Sequence, residues 1–374
     1  MLFFVEDAGA ANYISPVLKE LLGSELGSAL HILATGKGAE VLKARGISFA
    51  STNSSKTIPA MFYEFPWQLV VTGTAEDPHT LGLKLIDKAR ERGITSIGVV
   101  DGPANADYRF AGPQKTVPLK HAPDWLMVAD QTTKKLYVDR GFFPDRIAIC
   151  GHPAYERALA FSEHPPGTRA TLRSQHFPNA QNNQPIILFV SETSHGLSSG
   201  AFERQSDYTL FGSGTSDRRT DIVLEEVLKA LDALSLKPYF VLRLHPNNTA
   251  TEFARYRSQI DQISQGDDPL SLVYAADLVV GLTSILLDEA AVMGRPSLAV
   301  LPRHSERQWL AGIETGWVRC ATDCQELKTE LNTMLSPKYA IPSINRKMVR
   351  DASGKAARFI YKRLGTDHSF SPLG

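Results

Sequence analysis

Cysteine is scarce in this chain of 374 residues, occurring only at Cys150, Cys320 and Cys324. Three thiols cannot form a disulfide framework. Cys320 and Cys324 have no Cys or His nearby to complete a zinc site, so they read as structural. A bias of charge is missing too: 40 Lys and Arg balance 40 Asp and Glu, which removes the global electrostatic case for a nucleic-acid binder. No apolar run approaches the ~18 residues of a membrane span. The apolar start, Met1 to Val5, is cut off by Glu6 and Asp7, too soon for a signal-peptide core. There is no Asp-x-Asp metal signature, and no segment repeats with a period of about 20–50 residues. The expectation is a soluble, cytoplasmic protein with neither metal nor cofactor.

What is present is apolar material in short pieces. Hydrophobic residues make up 43% of the chain, enough for two cores at roughly 150 residues per domain. Short apolar runs alternate with amphipathic stretches, the pattern of parallel α/β architecture. A first domain, 1–160, has expected strands at 2–5, 30–34, 69–72, 96–100, 126–128 and 147–150, with helices such as 17–22, 80–92 and 132–140 between them. The stretch 161–184 carries Pro165-Pro166-Gly167, Pro178 and an Asn/Gln cluster, and reads as a linker with a short helix near 168–174.

A second alternating set fills 185–342, with strands at 186–190, 239–244, 278–280 and 297–300 and a short one at Trp317-Val318. Its helices are expected at 221–234, 251–264, 285–293 and 323–335. Ser194 to Arg219, with His195, Gly196, Gly212, Gly214 and Arg218, is rich in Gly and Ser and aperiodic: a loop that orders over a ligand, or a disordered insertion. A basic amphipathic helix follows in 343–365, and 366–374 is a frayed tail. The fold class is α/β, two doubly wound domains facing each other across a cleft.

Ligands of such sheets sit outside the carboxyl ends of the strands, so polar residues there are the candidates. Arg243-Leu244-His245-Pro246 ends one strand; His245 either donates to a phosphate or ring oxygen or hydrogen-bonds the next loop. Thr283 and Ser284 open a helix, where hydroxyls, backbone N–H groups and the positive dipole end suit a pyrophosphate, or where either residue simply caps the helix. Glu289 on that helix could accept the two hydroxyls of a ribose, its neighbour Asp288 could exchange roles with it, or both could line a solvated face.

The run from Arg243-Leu244-His245-Pro246 through Ala276 to Val280, Thr283 to Ala290 and Gly294-Arg295-Pro296 resembles the nucleotide-binding half of GT-B glycosyltransferases. It is similar as well to their relatives, the non-hydrolysing UDP-N-acetylglucosamine 2-epimerases and the CDP-glycerol glycerophosphotransferases. The resemblance implies two Rossmann-like domains. It gives donor phosphates to His245, Thr283 and Ser284, and ribose to Glu289. It also brings Ser191 and Glu192, after the first strand of the second set, to the donor side. Two motifs depart from the epimerase pattern: Thr283-Ser284-Ile285 stands for Ser-Gly-Gly, and Gln308 follows Pro302 to Arg307 where proline is expected. His152 stands where an Asn is usual.

Transfer of a sugar needs a base for the acceptor hydroxyl and stabilisation of the departing phosphate. Asp7 is the first candidate base and Asp101 the second, each with loop capping as its plainer role. Gly9, Asn105 and Arg109 are the acceptor-side candidates. The functional expectation is a metal-independent glycosyltransferase of surface polysaccharide or glycan biosynthesis. Its donor is UDP- or CDP/CMP-activated, and its acceptor a glycan, a lipid-linked species or a small molecule. A UDP-sugar 2-epimerase, a glycerophosphotransferase-like enzyme and a non-catalytic nucleotide-sugar-binding protein are the alternatives. The apolar stripe of the last helix (Met348, Ala352, Ala356, Phe359, Ile360, Leu364) packs on the N-terminal domain, as is common in GT-B proteins, or lies on the inner face of an anionic membrane.

Overall fold

The computed structural model describes residues 1–52, 57–75, 77–114, 116–193 and 202–364. The chain divides into two compact units, Met1–Glu156 with the segment from Lys347 onward, and Arg157–Arg346. In the first, β1 (Leu2–Val5), β2 (His31–Ala34), β3 (Ala50–Ser51), β4 (Leu69–Gly73), β5 (Thr95–Val100), β6 (Trp125–Val128) and β7 (Ile147–Ile149) lie in the order β3-β2-β1-β4-β5-β6-β7. In the second, β8 (Ile186–Val190), β9 (Tyr239–Arg243), β10 (Gln262–Ser264), β11 (Leu278–Gly281), β12 (Ser297–Val300) and β13 (Arg319–Ala321) lie in the order β10-β9-β8-β11-β12-β13. Every pairing of these strands within the two sheets is parallel. The central strands are apolar and buried on both faces, as helices on both sides of a parallel sheet require.

In each sheet the chain runs outward one way, then returns to the centre and runs the other way. The reversals fall between β1 and β4 and between β8 and β11. Loops that leave neighbouring strands there diverge to opposite faces and open a crevice at the carboxyl edge, the place where doubly wound sheets take ligands.

The first helix, Ala8–Leu22, presses Tyr13, Ile14, Val17, Leu18 and Leu21 onto Phe3 and Val5 of β1. Pro16 lies inside it and offers no N–H to the carbonyl of Asn12, and Arg45 donates to that carbonyl instead at 3.4 Å. The same core takes in Ala356, Ala357 and Ile360 of the helix Ala352–Lys362.

Several elements differ from expectation. β3 and β10 are two and three residues long, too short for an apolar run to announce them. Residues 251–264, expected as one helix, form a 3-10 helix at Ala250–Gln259 and then β10. The short strand after the 311–314 turn of helix is Arg319–Ala321, two residues later than Trp317-Val318. Further helices stand at Gly36–Ala44, Pro153–Glu163 and Pro269–Ala275.

The stretch 161–184 is built into the second unit. Its helix, Arg169–His176, sends Arg169 and Arg173 to the Asp277 carboxylate, and Arg169 also donates to the carbonyls of Tyr274, Ala275 and Ala276. The expected helix Ile344 to Leu364 is two helices, Arg346–Val349 and Ala352–Lys362. The break is at Asp351, in the left-handed region at φ 61°, and Met348 of the expected apolar stripe is 62% exposed. The apolar face of the second of these helices is therefore covered by protein. Among the described residues no helix is long and apolar enough to cross a membrane. Of the expected loop Ser194 to Arg219, 194–201 lie outside the described residues, as does the tail 366–374.

Ile360 of the Ala352–Lys362 helix is fully buried in the core that this helix shares with Ala8–Leu22. Ile360→Ala should lower stability by about 2–5 kcal/mol, read as a fall in the urea midpoint with an unchanged m-value.

Candidate functional site

At the carboxyl edge of the second sheet, the loop after β8 begins with Ser191 and Glu192. Ser191 is buried; its hydroxyl accepts the His245 N–H at 2.9 Å and donates to Asn248 Oδ1 at 3.2 Å. The ends of β8 and β9 are thus tied together. His245 Nδ1 accepts the Asn247 N–H at 3.2 Å, which leaves the neutral ring's proton on Nε2. Burial lowers the imidazole's pKa below its ordinary value, and the nearby Glu192 charge offsets this only in part. His245 is therefore a neutral N–H donor at physiological pH.

Glu192 reaches across to β11. Its Oε1 accepts both the Thr283 N–H and, at 3.1 Å, the Thr283 hydroxyl. Its Oε2 accepts from Arg219 Nη1, and Arg219 Nη2 donates to Thr283 Oγ1 at 3.3 Å. On its other side the Arg219 guanidinium grips both oxygens of Glu306, at 3.1 and 2.9 Å through Nε. Arg303 also donates to Glu306, at 2.8 Å, and the Trp309 ring lies 5.7 Å from the Arg219 guanidinium and 5.3 Å from that of Arg303. Burial alone would lower the pKa of Arg219. The charges and hydrogen bonds of Glu306 and Glu192 more than offset it and hold the guanidinium above its usual value.

Ser284 caps the helix Ile285–Val292, its hydroxyl accepting the Leu286 N–H at 3.3 Å. Thr283 is not open to a ligand as expected, because Glu192 takes both of its donors. Arg243 turns away from the set: it donates to the carbonyls of Leu244 and Asp267, and burial lowers its pKa. Neither expected ribose carboxylate lies on a solvated face. Glu289 is buried and accepts from Arg157 at 2.9 Å. Asp288 is buried against Gly312, where a β-carbon would stand 1.9 Å from Asp288 Oδ1.

In the first unit, Asp7 caps the helix Ala8–Leu22, accepting the Ala10 N–H at 2.7 Å. Asp101 follows β5 and accepts from Arg109 at 3.2 Å. A β-carbon on Gly9 would stand 2.1 Å from Asp101 Oδ2 and 3.3 Å from Asp7 Oδ1, so the two carboxylates converge on a residue where only hydrogen fits. Arg109, expected to touch an acceptor, is 6% exposed and also holds Thr74, through its carbonyl at 2.9 Å and its hydroxyl at 3.0 Å. Asn105 is a turn residue at φ 63° whose side chain accepts the Tyr108 hydroxyl. His152 is buried, with Nδ1 accepting the Ala154 N–H at 3.0 Å and its ring edge-on to Tyr13. A cavity of 520 Å³ opens at the amino edge of the second sheet, but Arg169 and Arg173 on its wall are committed to Asp277 and to backbone carbonyls. It lies away from the strand ends that gather the polar side chains.

Sequence reasoning missed Arg219, Glu306 and Arg303 as a set. One signal was available: Arg219 is the first residue of a helix, Arg219–Asp232, where the dipole disfavours a cation.

No family model matches the chain, and no curated protein matches its sequence. Solved structures do. The UDP-GlcNAc 2-epimerase of Neisseria meningitidis bound to UDP-GlcNAc superposes with a TM-score of 0.66 at 17% identity, over 96% of this chain and 99% of that one. The S. aureus MnaA–UDP complex gives 0.65 at 14%, over 100% and 99%. A glycosyltransferase from Rickettsia africae gives 0.56 at 12%, over 97% and 94%. The chain has the GT-B fold, with two Rossmann-like domains.

Arg219→Met removes the cation between two carboxylates, one of them fully buried. It should cost about 3 kcal/mol, the low end for a broken buried pair because Arg303 still reaches Glu306. Adding Glu306→Gln should recover part of that loss in a double-mutant cycle followed by urea unfolding.

Proposed function

We propose that this chain is an enzyme acting on a nucleotide-activated sugar, whose phosphates dock on the second unit where β8 and β11 diverge. One observation carries the reading. His245 and Ser284 bring a neutral ring N–H and a hydroxyl at a helix N-terminus to the same carboxyl edge, beside the buried Arg219 guanidinium that Glu192 and Glu306 hold. A ring N–H, a hydroxyl and the N–H groups of a helix start are the kinds of donor that a phosphate takes.

The reaction this grip serves is sugar transfer without a metal. The bond from the anomeric carbon to the phosphate oxygen breaks, and its electrons leave with the nucleotide. Nε2–H of His245 and the helix N-terminus take up the charge that develops there. Asp7 or Asp101 of the first unit removes the proton of the acceptor hydroxyl, whose oxygen forms the new bond to the anomeric carbon. The acceptor belongs to glycan assembly. A second reading, UDP-sugar 2-epimerase, is favoured by the higher TM-scores of the epimerases, 0.66 against 0.56 for the Rickettsia transferase.

Incubation with UDP-GlcNAc alone, followed by NMR, separates the two. A transferase leaves the sugar's configuration at C2 unchanged, and appearance of the C2 epimer without an acceptor overturns the transferase reading. His245→Ala should weaken UDP binding by about 1.5–3 kcal/mol, the value of a hydrogen bond to a charged group, in calorimetry at constant salt. An unchanged affinity removes His245 from the site.

Because burial lowers the pKa of His245 below its ordinary value of about 6.5, the ring is predominantly neutral from about pH 7 upward. UDP affinity should therefore show no step from His245 between about pH 7 and pH 8. Loss of affinity in that interval, absent in the His245→Ala variant, would contradict the neutral-donor role.

A further inference from the structure

We propose that Glu192 is an internal anion holding the place of the donor's phosphate, so that nucleotide binding is the exchange of one anion for another. The inference rests on the nucleotide-binding reading above. It changes the sign of Glu192's contribution: the residue lies on the donor side but opposes the donor.

Three donors converge on this carboxylate, namely the Thr283 N–H, the Thr283 hydroxyl and the Arg219 guanidinium. A backbone N–H beside a helix N-terminus, a hydroxyl and an arginine are also what a phosphate group requires. An arriving phosphate cannot use them while Glu192 does, and it meets a like charge where the carboxylate sits.

The two carboxylates around Arg219 are not equivalent. Glu306 is 0% exposed, holds Arg219 by both oxygens and is held in turn by Arg303. The side chain of Glu192 is 18% exposed and stands on the loop that leaves β8. Glu192 is the more exposed of the two and the one that can swing into water, and Glu306 keeps Arg219 in place when it does.

The arrangement also discriminates among ligands. A neutral nucleoside gains nothing by evicting a carboxylate, whereas a diphosphate replaces it with more charge. Glu192 thus raises the threshold for entry and selects the phosphorylated donor over its nucleoside.

The test is calorimetry with UDP and with uridine on the parent protein, on Glu192→Gln and on Glu192→Ala. Glutamine keeps the size and an acceptor for Thr283 but removes the charge. Alanine guards against an amide that reorganises the loop. Both variants should bind UDP about tenfold tighter than the parent, with uridine affinity unchanged. UDP affinity that is equal or weaker in both variants would overturn the exchange and make Glu192 a bystander or a contact. UDP binding to none of the three proteins would instead overturn the nucleotide-binding reading, and this inference with it.

Discussion

A buried guanidinium organises the second unit. Arg219 lies between Glu306 and Glu192, and through them it joins the helix Arg219–Asp232, the segment after β12 and the loop after β8 to Thr283 at the end of β11. A charge removed from water is tolerated only when its partners are close and well aimed. Arg219 meets that condition with two carboxylates, a hydroxyl and the face of Trp309. The carboxyl edge of the sheet is therefore shaped by electrostatic necessity before any ligand arrives.

The first unit uses arginine differently at the corresponding edge. Arg109 draws Thr74 and Asp101 together across the ends of β4 and β5, and Gly9 allows two carboxylates to approach the start of the first helix. Any side chain at position 9 would push Asp101 aside. Both units thus follow the same topological rule, with polar residues gathered where the strand order reverses, although the residues share no sequence motif.

Much of this was legible in the sequence for a physical reason. Strands buried on both faces must be apolar without interruption, so Leu2–Val5, Ile186–Val190 and Leu278–Gly281 stand out. Ala50–Ser51 and Gln262–Ser264 do not, since edge strands of two or three residues carry no such requirement. The break at Asp351 depends on a left-handed residue and on Glu156 accepting the backbone N–H groups of Asp351 and Ser353, contacts that helical periodicity does not encode. In the candidate site, His245 and Ser284 were readable because each directly follows a strand or opens a helix. Arg219 and Glu306 were not, because they stand 87 residues apart and meet only through the fold. Asp288 and Glu289 were legible as carboxylates but not as buried ones, because their partners Gly312 and Arg157 come from other elements.

The helix Ala352–Lys362 completes a core begun by β1 and the helix Ala8–Leu22. That core is closed by segments from both sides of Arg157–Arg346 in the sequence. On the ribosome, the whole of Arg157–Arg346 emerges before the residues that finish the first unit. The second unit, continuous in sequence, can reach its native state during synthesis, while the first waits with part of its apolar surface uncovered. The unit that starts first is therefore the one whose core closes last.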